Sequence, residues 1–107
     1  MEKYIVHITD DALADMEDVY QYIAVKLQAP ENAKQQYNRI ADAILALDTF
    51  PKRYALFECE PEHSLGIRKM VVDNYLICYV VDSGIVTVID VLYGASDVHR
   101  KLQRRGT

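Results

Sequence analysis

The stretch "IRKMVVDNYLICYVVDSGIVTVIDVLY", residues 67–93, decides the fold. Runs rich in Val, Ile and Tyr are broken by "DN" at 73–74 and "DSG" at 82–84, the pattern of strands joined by tight turns. The strands expected are 65–72, 75–81 and 85–93, side by side as a three-stranded antiparallel meander. A two-residue turn at 73–74 sets Val72 opposite Tyr75 and Arg68 opposite Tyr79. A three-residue turn at 82–84, with Gly84 available for positive φ, sets Tyr79 opposite Thr87 and Leu76 opposite Asp90. Alternation then sorts the side chains into two faces. One takes Arg68, Met70, Val72, Tyr75, Ile77, Tyr79, Ile89, Val91 and Tyr93. The other takes Ile67, Lys69, Val71, Leu76, Cys78, Val80, Val86, Val88, Asp90 and Leu92. Both are largely apolar, so both need covering.

Upstream lies the cover for one face. "YIVHI" at 4–8 reads as a short N-terminal strand with Tyr4, Val6 and Ile8 on one side. "TDD" at 9–11 supplies N-cap candidates and acid for the first turn of a helix, where the dipole favours negative charge. Leu13, Met16, Tyr20, Ile23 and Leu27 then step by three and four along one stripe. "QAPEN" breaks that helix and opens a second, with Pro30 at the tolerated first turn. Ala33, Tyr37, Ile40, Ile44 and Leu47 form the second stripe, ended by Phe50-Pro51. The short connection predicts an antiparallel helical hairpin. Residues 52–64 carry Pro61 and a Glu cluster and read as an exposed loop, with part of it open to an extended conformation. Beyond the last strand a short C-terminal helix is expected near 96–104. The expectation is one α+β domain spanning residues 1–107.

Composition narrows the function. At 107 residues the chain suits a single modest core. No apolar run approaches the roughly 20 residues that span a bilayer, and no apolar signal core precedes the first acids, so a cytoplasmic protein with no membrane partner is expected. Cys59 and Cys78 lack CxxC spacing, and His7, His63 and His99 are scattered, so neither a disulfide, a metal nor a cofactor is expected. Net charge is −4, but unevenly distributed: residues 1–50 hold nine acidic and four basic side chains, residues 51–107 seven and eight. The last ten residues, "VHRKLQRRGT", hold four cations and no acid. A basic tail on an acidic body can touch a polyanion or serve as a solvated terminus.

Three stretches together resemble the RelE/ParE superfamily of toxins from bacterial type II toxin–antitoxin systems. "APENAKQQYNRIADAILALDTFP" is similar to its second helix with a closing Leu-x-x-x-Pro element, Leu47 to Pro51. "IRKMVVDNYLICYVV" is similar to its hairpin with an Arg followed by Tyr-x-x-x-Tyr, here Arg68, Tyr75 and Tyr79. "VIDVLYGASDVHRKL" is similar to its last strand and basic exit. The resemblance implies a strand, a helical hairpin and a meander. It also implies one of two activities: messenger RNA cleavage on the ribosome, or inhibition of DNA gyrase without a nuclease site. Either would be silenced by a cognate antitoxin.

RNA cleavage needs cations to stabilise the phosphorane and groups that move protons. The positions that are basic in the nucleases fall here at Ile67, Lys69 and Leu76, and the arginine of the exit is missing near Ala95-Ser96. Lys69 and His99 are the candidate catalytic residues that remain. Arg68, Tyr79, Asp90, Tyr93, Arg100, Lys101, Arg104 and Arg105 are candidates for partner binding. For Arg68 and Tyr79, packing of the guanidinium along the ring is the competing expectation. Asp90, mid-strand on an apolar face, needs a cationic partner or a wet face. The leading expectation is a ParE-like toxin acting by protein binding. The alternatives are a ribosome-dependent endoribonuclease with a rearranged site and a degenerate toxin that keeps only antitoxin binding. A homodimer in the absence of antitoxin is also open.

Overall fold

The computed structural model describes residues 3–93. The elements and residues expected within 94–107, namely the helix near 96–104, His99, Arg100, Lys101, Arg104 and Arg105, lie outside the described residues. The chain runs β1 (Ile5–Ile8), α1 (Asp10–Gln21), a π-helical turn (Tyr22–Lys26), α2 (Pro30–Leu45), two 3-10 turns (Ala46–Asp48 and Pro51–Arg53), then β2 (Arg68–Val72), β3 (Tyr75–Asp82) and β4 (Ile85–Tyr93). This is the α+β order expected, with the helical hairpin on one side of the meander. The sheet order is β1-β4-β3-β2; β1 joins parallel to β4, so the four-stranded sheet is mixed.

α1 starts where Thr9 leaves β1. Its hydroxyl oxygen accepts the Ala12 N–H at 3.1 Å, and Asp10 and Asp11 fill the first turn. The buried stripe differs from the expected one. Met16 and Ile23 are buried as expected, but Ala12 and Asp15 are buried as well, while Leu13 and Leu27 are exposed. The side chain of Asp15 reaches β4, where its Oδ2 accepts the Val91 N–H at 3.0 Å. That amide lies beyond the end of β1, so a carboxylate takes over where the neighbouring strand stops. α2 buries Ala33, Ile40 and Ile44, and Leu47 follows in the next turn, as its stripe predicts.

The β2–β3 register is the one expected: Arg68 faces Tyr79 and Val72 faces Tyr75. The β3–β4 register is not. Asp82 pairs with Ile85 across a two-residue turn in which Ser83 (φ +51°) and Gly84 (φ +79°) are both left-handed. Tyr79 therefore faces Val88, not Thr87, and Leu76 faces Leu92, not Asp90. Between these pairs Cys78 faces Asp90, so Ile89 is the extra residue of a β-bulge. The shorter turn reassigns the faces from Val86 to Ile89, and the bulge restores the expected ones from Asp90 on. Val86 and Val88 belong to the helix-side core with Met70, Ile77, Tyr79 and Val91, whereas Ile89 joins Ile67, Cys78 and Leu92 on the far side.

Part of the 52–64 segment is extended. The Lys69 N–H donates to Ala55 O at 3.1 Å and the Phe57 N–H to Ile67 O at 3.0 Å, so residues 55–57 close the outer edge of β2.

Candidate partner-binding face

The far side of the sheet is the surface that the helices leave open. Its centre is the buried trio Ile67, Cys78 and Leu92, flanked by the half-buried Phe57, Leu76, Val80 and Ile89. Towards the β2 edge Val71, cross-strand neighbour of Leu76, is 68% exposed. On the opposite side Ile5 and Ile85 pair across β1 and β4 and are both exposed. Lys69 lies on this side, and its ammonium sits 5.5 Å from the centre of the Phe57 ring. Among the described strand residues, Arg68 and Lys69 are the two Lys or Arg side chains. Arg68 alternates onto the helix side, so the strands bring a single cation to the far face.

The pair Arg68 and Tyr79 is built into the crossover from α2 to the meander. The Arg68 Nη1 donates to Tyr54 O at 2.7 Å and to Lys52 O at 3.3 Å. The Tyr79 hydroxyl, wholly buried, donates to Pro51 O at 2.6 Å. Together they fasten the 50–54 segment through three of its carbonyls. Burial pushes the Tyr79 phenol up to about 12, opposed in part by Arg68 and Arg53. The cation–ring contact in this region is that of Arg53, 4.8 Å from the Tyr54 ring centre. Phe50, just before Pro51, is left-handed (φ +47°) although its side chain is exposed.

Asp90 is fully buried opposite Cys78. Tyr93 is 59% exposed, and its ring lies 5.3 Å from that of Tyr75, whose phenol burial also pushes up. Of the predicted site residues that are described, Lys69 is half-buried on the far face and Tyr93 stands at the end of β4, whereas Tyr79 and Asp90 are interior. A shallow depression of about 410 Å³, lined by Lys3, Tyr4, Ser83 and Gly84, opens at the other end of β4 and touches none of them. Cys59 is exposed and Cys78 buried, and among the described residues no group of three His, Cys, Asp or Glu side chains is placed to hold a metal ion. No helix among them is long and apolar enough to cross a membrane.

Sequence reasoning missed several polar residues. Asp15 is one, and a position one turn from Ala12 and next to Met16 on the true stripe was its signal. A second group ties α2 to the β2–β3 turn: Asp73 Oδ2 accepts from Gln36 Nε2 at 2.9 Å and Arg39 Nε at 2.8 Å. These bonds, Arg39 first, hold the Asp73 carboxyl below its usual range. The third is Glu62, buried within the segment read as an exposed loop.

A family described as the ParE toxin of the type II toxin–antitoxin system parDE matches residues 6–98. The chain belongs to the ParE toxin family. Within the wider RelE/ParE superfamily, the fold of this ParE-family chain is similar to two solved structures. One is a chromosomal ParDE system from P. aeruginosa, with TM-score 0.72 and 19% identity over 87% of this chain and 98% of that one. The other is the RelBE2 toxin–antitoxin complex from Mycobacterium tuberculosis, with TM-score 0.61 and 19% identity over 87% and 93%. At that identity the likeness is one of fold. No curated protein sequence matches this chain.

Proposed function

We propose that this ParE-family toxin acts by binding a protein target, of the DNA gyrase type by family likeness, and is neutralised by a cognate antitoxin that docks on the far face of its sheet. The observation that carries the reading is the chemistry of that face. Ile67, Leu76, Val80, Ile89 and Leu92 line it, and Lys69 is the cation that the described strands bring to it. Ile67 and Leu92 are buried at its centre, but Val71, Ile5 and Ile85 leave apolar surface open towards its two sides, and such surface marks a protein-docking site. Phosphodiester cleavage requires the reverse, cations converging on one phosphate. Such a toxin works in the cytoplasm and needs no cofactor. Its match to a family defined by an antitoxin-paired toxin supports the partner.

The test is induced expression, with and without the small open reading frame beside the gene, followed by assays of purified gyrase and of cellular messages. Growth arrest with filamentation, gyrase inhibition in vitro and unchanged toxicity of Lys69→Ala are expected. Rapid translation arrest with cleaved messages, abolished by Lys69→Ala, would move the reading to a ribosome-dependent nuclease. A chain without effect on growth would leave antitoxin binding as its remaining function.

A further inference from the structure

The segment after Phe57, "ECEPEHSLG" at 58–66, is folded on itself. Glu60 accepts from the Ser64 N–H at 2.9 Å and the Ser64 hydroxyl at 2.8 Å, bonds that hold its carboxyl below the usual range. The His63 Nδ1 lies 2.8 Å from Phe57 O, and the Ile67 N–H donates to Glu62 O at 3.1 Å. Three carboxylates are therefore carried on a compact turn next to the far face. The ion pairs formed among the described residues, Lys3 with Asp48 and Arg39 with Asp73, leave all three aside.

Glu62 is the anomaly. It is 4% exposed, and among the described residues its Oε2, itself closed off from solvent, has no hydrogen-bond partner. A buried carboxylate oxygen without a donor is destabilising, and one kept in a native fold calls for a specific explanation, a partner that supplies the donor being one. The two exposed carboxylates beside it, Glu58 and Glu60, add negative potential that favours a cation. Of the two basic side chains, the guanidinium is the better suited to a partly dry carboxylate, because it is less strongly hydrated and bonds in a planar fork.

We propose that the 58–62 turn is the receptor for a basic segment of the antitoxin, with an arginine of that segment pairing with Glu62. This rests on the antitoxin reading above and names the chemistry the partner must bring. The free toxin leaves Glu62 Oε2 without a donor, and the complex supplies one.

The test uses the full chain and the protein encoded by the small reading frame beside its gene, each purified alone. Isothermal titration is run on the unaltered toxin, on Glu62→Gln and on Glu62→Leu, alongside thermal unfolding of each free toxin. Glu62→Gln weakens binding at least about 10-fold and makes it less sensitive to salt. Glu62→Leu weakens binding too, while raising the Tm of the free toxin by about 4 °C, because the buried oxygen without a donor is gone. Opposite signs for stability and affinity are not what a merely structural carboxylate gives. A double-mutant cycle against each Arg→Ala variant of the antitoxin finds the partner as the one whose effect vanishes in the Glu62→Gln background. Binding by Glu62→Gln within about twofold of the unaltered toxin overturns the proposal, as does a lower Tm in both variants. Failure of the unaltered toxin to bind at all removes the antitoxin reading itself, a result seen before any variant is made.

Discussion

Tyr79→Phe removes one oxygen atom from the interior and leaves the ring in place. The lost bond, from the phenol to Pro51 O at 2.6 Å, is buried, and its removal strands the carbonyl as well as deleting the donor. Such a loss costs about 1–3 kcal/mol. For a chain of 107 residues this lowers Tm by about 4–12 °C. The pH dependence gives a second readout. Tyr79 titrates at about 12 in the fold, against an ordinary value of 10.0. A phenol whose pKa is raised by folding contributes its stability in full below pH 10. That contribution is lost as pH rises through the folded value, because the unfolded chain ionises first. A two-unit gap corresponds to about 2.7 kcal/mol. Thermal unfolding of both proteins from pH 8 to pH 12 should show a wide Tm difference that narrows from pH 10 upwards. Antitoxin affinity, measured where both proteins are folded, should stay within about twofold, since Tyr79 offers no surface. Equal Tm values at pH 8, or a difference that persists unchanged to pH 12, would refute the assignment of Tyr79 to the Pro51 clamp.

Asp15→Ala leaves the Val91 amide buried without its acceptor and should cost about 1–3 kcal/mol in denaturant unfolding, with faster hydrogen exchange at Val91; Asp15→Asn keeps an acceptor and should cost less. Phe50→Gly releases a left-handed backbone at the price of an already exposed ring, and should raise stability by about 0.5–1 kcal/mol. Arg68→Met removes the donors that bind Lys52 O and Tyr54 O, and should increase proteolytic cleavage within 50–54 before it affects the helices.

Much of the fold could be read wherever periodicity was undisturbed. α2 buried its stripe because the apolar positions there are in step, although Gln36 is buried beside them. The β2–β3 register followed from a two-residue turn. The β3–β4 register failed because Ser83 as well as Gly84 adopts positive φ, which shortens the turn, and because the bulge at Ile89 has no Gly or Pro to announce it. α1 was misread by one position, since large Leu13 outweighed small Ala12 and a charged residue, Asp15, was not expected in the interior. The greasy character of the far face was legible in advance. Its membership was not, because the shorter turn exchanges Ile89 for Val86 and Val88. Glu62 left no trace in the sequence, where it is one of three glutamates in a polar segment.

The far face as a docking surface can be tested at its most open residue. Val71 is well exposed and touches the solvent side of β2, so Val71→Glu should leave the Tm of the free toxin within about 1 °C. Placing a carboxylate inside an apolar contact should weaken antitoxin binding by about 10-fold or more. If the antitoxin binds Val71→Glu and its neighbour Leu76→Glu as tightly as the unaltered toxin, the partner sits elsewhere and the account is wrong.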